Sequence, residues 1–467
     1  MMTDEKNQRP IALVVTTLGS FLTPFMSSAI NVALPSIGRE FSMSAVGVGW
    51  VATSFLLAAA IFLIPFGRLA DLHGQKKFFT YGIAIYTLAS FLAALSPSPL
   101  ILIATRVLQG CGGSMTFSTG VAILTSIYPA RERGKAIGIN IAAVYIGLSI
   151  GPFLGGLLTQ HLGWRSIFLA NIPLGLLILA LTFWKFKGEW AEARGEKFDG
   201  AGALIFSLSL IALMYGFSLL PRPAGAWLIL GSFLGLASFA YGERRTEHPV
   251  LEIRLFQHNR VFAFSNLAAL INYSATAGTG FLLSLYLQYI KGLNPQSAGL
   301  VLVAQPIMMA IFSPLAGRVS DRREPQVVAS TGMALTAAAL FLFIFLSASS
   351  SLIFIVACLV LLGFGFALFS SPNTNAVMGS VERKYYGVAS ATLSTMRLTG
   401  QMLSIGLAMM IFALHIGRVQ ISPQNYPLFL KSVKTAFIIF AGLCFAGVFA
   451  SLARGKNRAD SSATSEN

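Results

Sequence analysis

The feature that most constrains this chain is the recurrence, from one end to the other, of apolar stretches about 20 residues long separated by short polar gaps. About 20 helical residues cover the hydrocarbon of a bilayer, and in that medium each backbone N–H and C=O must find its partner within the helix. Reading on that rule gives about fourteen spans: 11–34, 46–66, 78–95, 99–127, 136–158, 167–184, 201–220, 227–241, 261–289, 298–316, 327–345, 352–369, 388–414 and 436–452. The stretch 227–241 is the shortest, and it fits an interfacial helix as well as a span.

The expected fold class is therefore an all-α membrane protein, and the scarcity of charge agrees. Only 11% of residues are charged, against about 25% in soluble domains. The net charge of +16 could suit nucleic acid, but the Lys and Arg residues form no basic stripe with interleaved aromatics; they punctuate the gaps between apolar runs. With the N-terminus in the cytoplasm, the inner connections collect Lys76, Lys77, Arg131, Arg133, Lys135, Arg244 and Arg245 among others. The outer ones hold Arg39, Arg165, Arg222, Lys291, Arg418, Lys431 and Lys434. The positive-inside rule then puts both termini in the cytoplasm, and the expected location is the plasma (inner) membrane. Cys111, Cys358 and Cys444 lie inside apolar runs, which suits small packing residues better than a disulfide framework. Asp4, Glu5, Lys6 and Arg9 precede the first run without a small-residue cleavage site, so that span is expected to be retained.

The second constraint is internal duplication. Gly67, Arg68 and Asp71 return as Gly317, Arg318 and Asp321. At a nearly constant offset, Gly110, Gly112 and Gly147 correspond to Gly363, Gly365 and Gly400. Two six-helix bundles flanking a pair of inserted helices follow from this register. The expected organisation is an N-terminal bundle over 1–187, the inserted pair with its loops over 188–259, a C-terminal bundle over 260–453 and a disordered cytoplasmic tail over 454–467.

The run Gly67-Arg68-Leu69-Ala70-Asp71-Leu72-His73-Gly74-Gln75-Lys76-Lys77 resembles the loop motif that the major facilitator superfamily carries between its second and third helices. Arg106-Val107-Leu108-Gln109-Gly110-Cys111-Gly112-Gly113 resembles its fourth-helix motif, and Gly147-Leu148-Ser149-Ile150-Gly151-Pro152-Phe153-Leu154-Gly155-Gly156 the fifth-helix motif associated with antiporters. Together with Trp164-Arg165-Ser166-Ile167-Phe168-Leu169-Ala170-Asn171-Ile172-Pro173 and the fourteen-span plan, these narrow the resemblance to the branch of drug/proton antiporters. It covers essentially the whole chain.

The motifs suggest gating elements. Gly147, Gly151 and Gly155 recur every fourth residue, lining one helical face for close approach of another backbone, and Pro152 adds a kink. Ordinary tight packing and a bending seam are both open readings of that face. Asp71 and Asp321, each among cations, could latch a gate by pairing with Arg or Lys or by accepting from the free amides of a helix start, and the resemblance favours this for Asp71. Gly67 and Gly74 belong to the same loop.

Only two cations, Arg106 and Arg397, fall well inside the spans. A guanidinium at mid-bilayer costs about 2.5–3.5 kcal/mol on insertion scales, so both are expected to face a polar interior. Gln109 shares a face with Arg106, and Gln401 with Arg397, while Asn31 in the first span and Asn272, Tyr273 and Gln305 in the ninth and tenth could add polar groups. These eight are the candidate substrate-binding residues; hydrogen bonding between helices without a ligand is the alternative.

No Asp or Glu lies deep in any span, and where the resemblance implies a first-span acid the chain has Met26, followed by Ser28 and Asn31-Val32-Ala33-Leu34-Pro35. Arg is a poor proton carrier because it stays charged at accessible pH. The chain has no nucleotide-binding Gly-x-x-x-x-Gly-Lys-Ser/Thr loop and no metal-ligand spacing, so neither enzyme chemistry nor a cofactor is expected. The expected function is secondary transport of small amphipathic compounds or drugs outward by alternating access, with proton antiport as the candidate coupling. An anion transporter or facilitated-diffusion carrier without proton coupling is the second reading, and a fold-retaining sensor the third. The expected partners are the bilayer, a small-molecule substrate and coupled protons, with no nucleic acid and a monomeric assembly.

Overall fold

The computed structural model describes residues 2–191, 198–246, 249, 251–320, 324–382 and 385–454. The helices run α1 (Met2–Glu40), α2 (Ala45–His73), α3 (Gln75–Ala94), α4 (Pro99–Ile127), α5 (Ala130–Leu162), α6 (Arg165–Trp184), α7 (Gly200–Leu219), α8 (Pro223–Glu243), α9 (Ile253–His258), α10 (Arg260–Thr276), α11 (Gly278–Leu285), α12 (Pro295–Leu302), α13 (Ala304–Ser320), α14 (Pro325–Leu342), α15 (Leu352–Gly379), α16 (Tyr386–His415) and α17 (Tyr426–Leu452). We call the end at which α1 begins proximal and the opposite end distal. Among the described residues, thirteen helices are long and apolar enough to cross a membrane.

The segment expected as a single ninth span is divided. Gly278 N–H leaves the helical ladder and donates to Ser404 Oγ at 2.8 Å, ending α10, and α11 then runs into a π-helical turn at Tyr286–Ile290. The broken path still covers 260–290, matching the stretch that hydropathy marks. The eighth segment is longer than its apolar centre suggests, because α8 extends over 21 residues from Pro223 at its first turn. Side-chain caps set several starts: Ser44 accepts from Gly47 N–H, Asn259 from Phe262 N–H and Asn294 from Ser297 N–H.

The duplicated glycines occupy equivalent crossings in the two halves. A Cβ on Gly112 would lie 2.6 Å from Tyr86 N and 2.7 Å from Gly82 O, and one on Gly365 would lie 2.7 Å from Thr336 N and 2.8 Å from Gly332 O. Each brings the third and fourth helices of its half, α3 with α4 and α14 with α15, into backbone contact. Gly110 meets the carbonyl of Phe55 on α2, as Gly363 meets that of Gln305 on α13. Gly147 meets Phe21 on α1, as Gly400 meets Leu270 on α10. The same residue type thus makes the same close approach twice, which is the structural meaning of the repeat.

Between the halves, burial changes along the axis. In the proximal part of α5 one narrow stripe is buried (Ala136, Asn140, Ala143, Gly147), whereas distally the stripe doubles to Gly151, Pro152, Gly155, Gly156 and Thr159. On α16, Tyr386, Gly387, Val388 and Ala391 are exposed, but from Ser404 to Ala413 only Leu407 and Met410 are not fully buried. The halves are joined at the distal end and part toward the proximal one. The inserted pair docks through α7, where Met214 and Phe217 close on Gly406 of α16 and Ser218 O accepts from Arg418.

Candidate functional site

A cavity of about 180 Å³ opens where the halves meet, near the middle of the helices. The N-terminal half contributes Ser27, Ser28 and Asn31 from α1, Phe55 from α2, Arg106 from α4 and Pro152 from α5. The C-terminal half contributes Tyr273 and Thr276 from α10, Gln305 and Met309 from α13, Phe366 from α15 and Gln401 from α16. Five of the eight residues expected to bind substrate, Asn31, Arg106, Tyr273, Gln305 and Gln401, therefore line one space.

Among the described residues, Arg106 is the only charged side chain in that lining, and it is 1% exposed. Its Nε donates to the Val51 carbonyl at 3.1 Å, Nη1 donates to Gln109 Oε1 at 2.5 Å, and the guanidinium lies 4.6 Å from the centre of the Phe55 ring. Gln109 lies behind the wall and passes the bond on to Ser90 Oγ at 2.8 Å. A carbonyl, an amide and a ring meet the charge without a carboxylate, so its positive potential is retained inside a low-dielectric space. Arg397 stands outside the lining, about one turn proximal to Gln401. Its Nη2 donates to Thr374 Oγ1 and its guanidinium sits 5.8 Å from the ring centre of Tyr273. Asn272 is wholly buried beside Tyr273, also outside the lining, and neither end of its carboxamide has a hydrogen-bond partner.

At the first-span position where an acid was awaited, Met26 is buried and its sulfur accepts from Asn171 Nδ2 at 3.3 Å. The three cysteines are free thiols.

The elements expected to gate are placed as follows. Gly147, Gly151 and Gly155 face α1 within the N-terminal half. The Oγ of Ser28 fills the space that a Cβ on Gly151 would take, and Ala29 backs Gly155. The contact across the halves is made by the neighbouring positions: Gly299 on α12 presses on the Pro152 carbonyl, and Gly156 on that of Pro295. Spacing identified the smooth face of α5 but could not identify its partner. In the proximal loop, Gly74 takes φ of +122°, and Gly67 leaves room for a side chain. Asp71 accepts from Gln75 Nε2 at 3.1 Å. Asp321 lies outside the described residues.

One residue of this loop region was missed in sequence. The amides at the start of α3 are taken by Glu189, whose carboxylate accepts from Lys76 N–H at 2.9 Å and from Lys77 N–H at 3.2 Å. Its carboxylate also occupies the space a Gly74 Cβ would need. Glu189 follows α6, more than a hundred residues on, and a lone acid in a loop carries no signal of its partner. Glu189→Ala should remove a helix cap worth about 1 kcal/mol and open the loop to proteolysis. Limited trypsin digestion at Lys76 and Lys77, compared with wild type, measures it; unchanged cleavage would exclude the capping role.

Comparisons with known proteins agree with this architecture. A sequence profile described as the Major Facilitator Superfamily matches residues 16–265 and 265–467. The riboflavin transporter RibZ of Clostridioides difficile is 29% identical over 94% of this chain and 96% of its own length. The multidrug resistance protein Stp of Mycobacterium tuberculosis is 33% identical over 86% of this chain and 75% of its own. Among solved structures, a bacterial homologue of the human lysosomal transporter Spinster, in an inward-facing and unoccupied conformation, superposes with a TM-score of 0.69 at 16% identity, covering 96% of this chain and 97% of that one.

Proposed function

Because the chain belongs to the Major Facilitator Superfamily, we propose that it exports small amphipathic compounds across the plasma (inner) membrane by alternating access, with its proximal end in the cytoplasm. The observation that carries this reading is a cavity shared by two duplicated halves that meet distally and part proximally, which is the geometry of a carrier open to one side. Its lining mixes Phe55, Met309 and Phe366 with Asn31, Gln305 and Gln401, so it can wrap an apolar body while meeting a few polar groups. At about 180 Å³ the closed part of the space is smaller than a drug-sized pocket, and larger solutes extend toward the proximal opening. The excess of Lys and Arg on proximal connections supports the orientation. The names of the relatives, one a riboflavin transporter and one a multidrug resistance protein, support small organic compounds as the substrate class.

A second reading is anion transport or facilitated diffusion, favoured by one specific observation: among the described residues, the one charge in the lining is the guanidinium of Arg106. Flux into proteoliposomes under an imposed pH gradient separates the two. Drug/proton antiport requires saturable flux that collapses when the gradient is dissipated. Flux of anions that ignores the gradient, and that falls about tenfold or more for Arg106→Gln through loss of a buried charge-assisted contact, would replace the first reading with the second. Absence of saturable flux for both amphipathic and anionic panels would reject transport.

A further inference from the structure

The distal closure is built on a row of backbone carbonyls in α1 whose exposure begins with one proline. Pro35 has no N–H, so the Asn31 carbonyl one turn earlier has no donor within its own helix. Ser284, from α11 in the opposite half, fills that gap: its Oγ donates to the Asn31 carbonyl at 2.6 Å. One turn on, in the π-helical turn, Gln288 Nε2 donates to the Val32 carbonyl at 2.8 Å and to Ser284 Oγ at 3.2 Å. Tyr289 Oη follows at 3.4 Å from the Pro35 carbonyl. Ser284 and Gln288 are buried, and both lie distal to Gly280 of the cavity wall.

The geometry points to Ser284 and Gln288 as positioning residues of the transport cycle, a distal latch that closes on the carbonyls of Asn31 and Val32 when the cavity faces the proximal side and releases them when it faces the distal side. This rests on the alternating-access reading. The latch has the features of a reversible contact. It joins side chains of one half to main chain of the other, so opening breaks it without unfolding either helix. The carboxamide oxygen of Gln288 stays buried without a partner in the closed form, which holds the closed state below the stability a fully satisfied network would have.

The test reads distance. Spin labels at Pro97→Cys and Ala348→Cys, exposed distal positions on opposite halves, are introduced into full-length protein whose native thiols are removed by Cys111→Ala, Cys358→Ala and Cys444→Ala, and measured in nanodiscs. Ser284→Ala should raise the ratio of long to short distal distances about two- to tenfold, the worth of one hydrogen bond, and adding Gln288→Leu should raise it further. Ser284→Thr keeps the hydroxyl and should restore the wild-type ratio. Pro35→Ala gives Asn31 a donor inside α1, so in that background Ser284→Ala should have a smaller effect. An unchanged ratio in both latch variants, or an effect of Ser284→Ala that Pro35→Ala does not alter, overturns the latch while leaving transport standing if wild type shows saturable flux. A wild type with one fixed distal distance and no flux overturns both.

Discussion

Gly112→Val is expected to cost about 3 kcal/mol of stability and to leave little correctly folded protein in the membrane. Even the first carbon of a side chain there would stand 2.6 Å from the Tyr86 nitrogen and 2.7 Å from the Gly82 carbonyl oxygen, and these are backbone atoms that no rotamer change can move. The two helices would have to separate along their length, and with them the Gln109 to Ser90 bond that holds Arg106 in place. Gly365→Val should cost a similar amount at the equivalent crossing of the other half. Because the two sites share no partner, the double variant should show a nearly additive loss. Gly134→Val is the control, since nothing lies within 4 Å of a Cβ at that position. The midpoint of thermal unfolding in detergent provides the measurement. A Gly112→Val protein that melts with the control would show that the crossing tolerates a gap.

The second large effect is expected at Gly299, and there folding should survive while transport fails. A Cβ at this position would come within 2.1 Å of the Pro152 carbonyl oxygen, across the distal junction of the halves, whereas the contacts within each half are untouched. Gly299→Ala should therefore disfavour the distal-closed state by about 1–3 kcal/mol and cut flux about 10- to 100-fold, with a near-normal unfolding midpoint. Gly231→Ala, on a lipid-exposed face of α8 with no neighbour within 4 Å, should transport normally. Full flux through Gly299→Ala would mean that the halves need not approach so closely at this point.

What could be read in sequence divides along a physical line. Bilayer thickness is a local rule and marked the spans, and the repeat paired Gly112 with Gly365, but the backbone crossings these two glycines make are seen only in the structure. Charge cost directed Arg106 away from lipid, and the structure has its side chain buried in the cavity lining. It was less decisive for Arg397, which sits beside the cavity wall with Thr374 and Tyr273. Helix ends were underestimated: α17 starts at Tyr426, ten residues before the apolar run, because a helix continues past the hydrocarbon into segments carrying Lys431 and Lys434. Long-range partners left no trace. Glu189 at the start of α3 and Ser284 against Asn31 are single polar residues whose importance comes from what lies opposite them. The face of α5 marked by Gly147, Gly151 and Gly155 was recognisable, but a smooth helix face does not say which neighbour will use it.

The docking of α7 makes the molecule unequal toward lipid. On the side of α2 and α16, acyl chains meet an added helix before they can reach the junction of the halves, with Met214 and Phe217 filling the groove at Gly406. On the side of α5 and α12, where Pro152 and Gly299 touch, the described helices place no such screen. The seam between the halves is thus shielded from acyl chains by an extra helix on one flank and held on the other only by the backbone contact of Pro152 with Gly299.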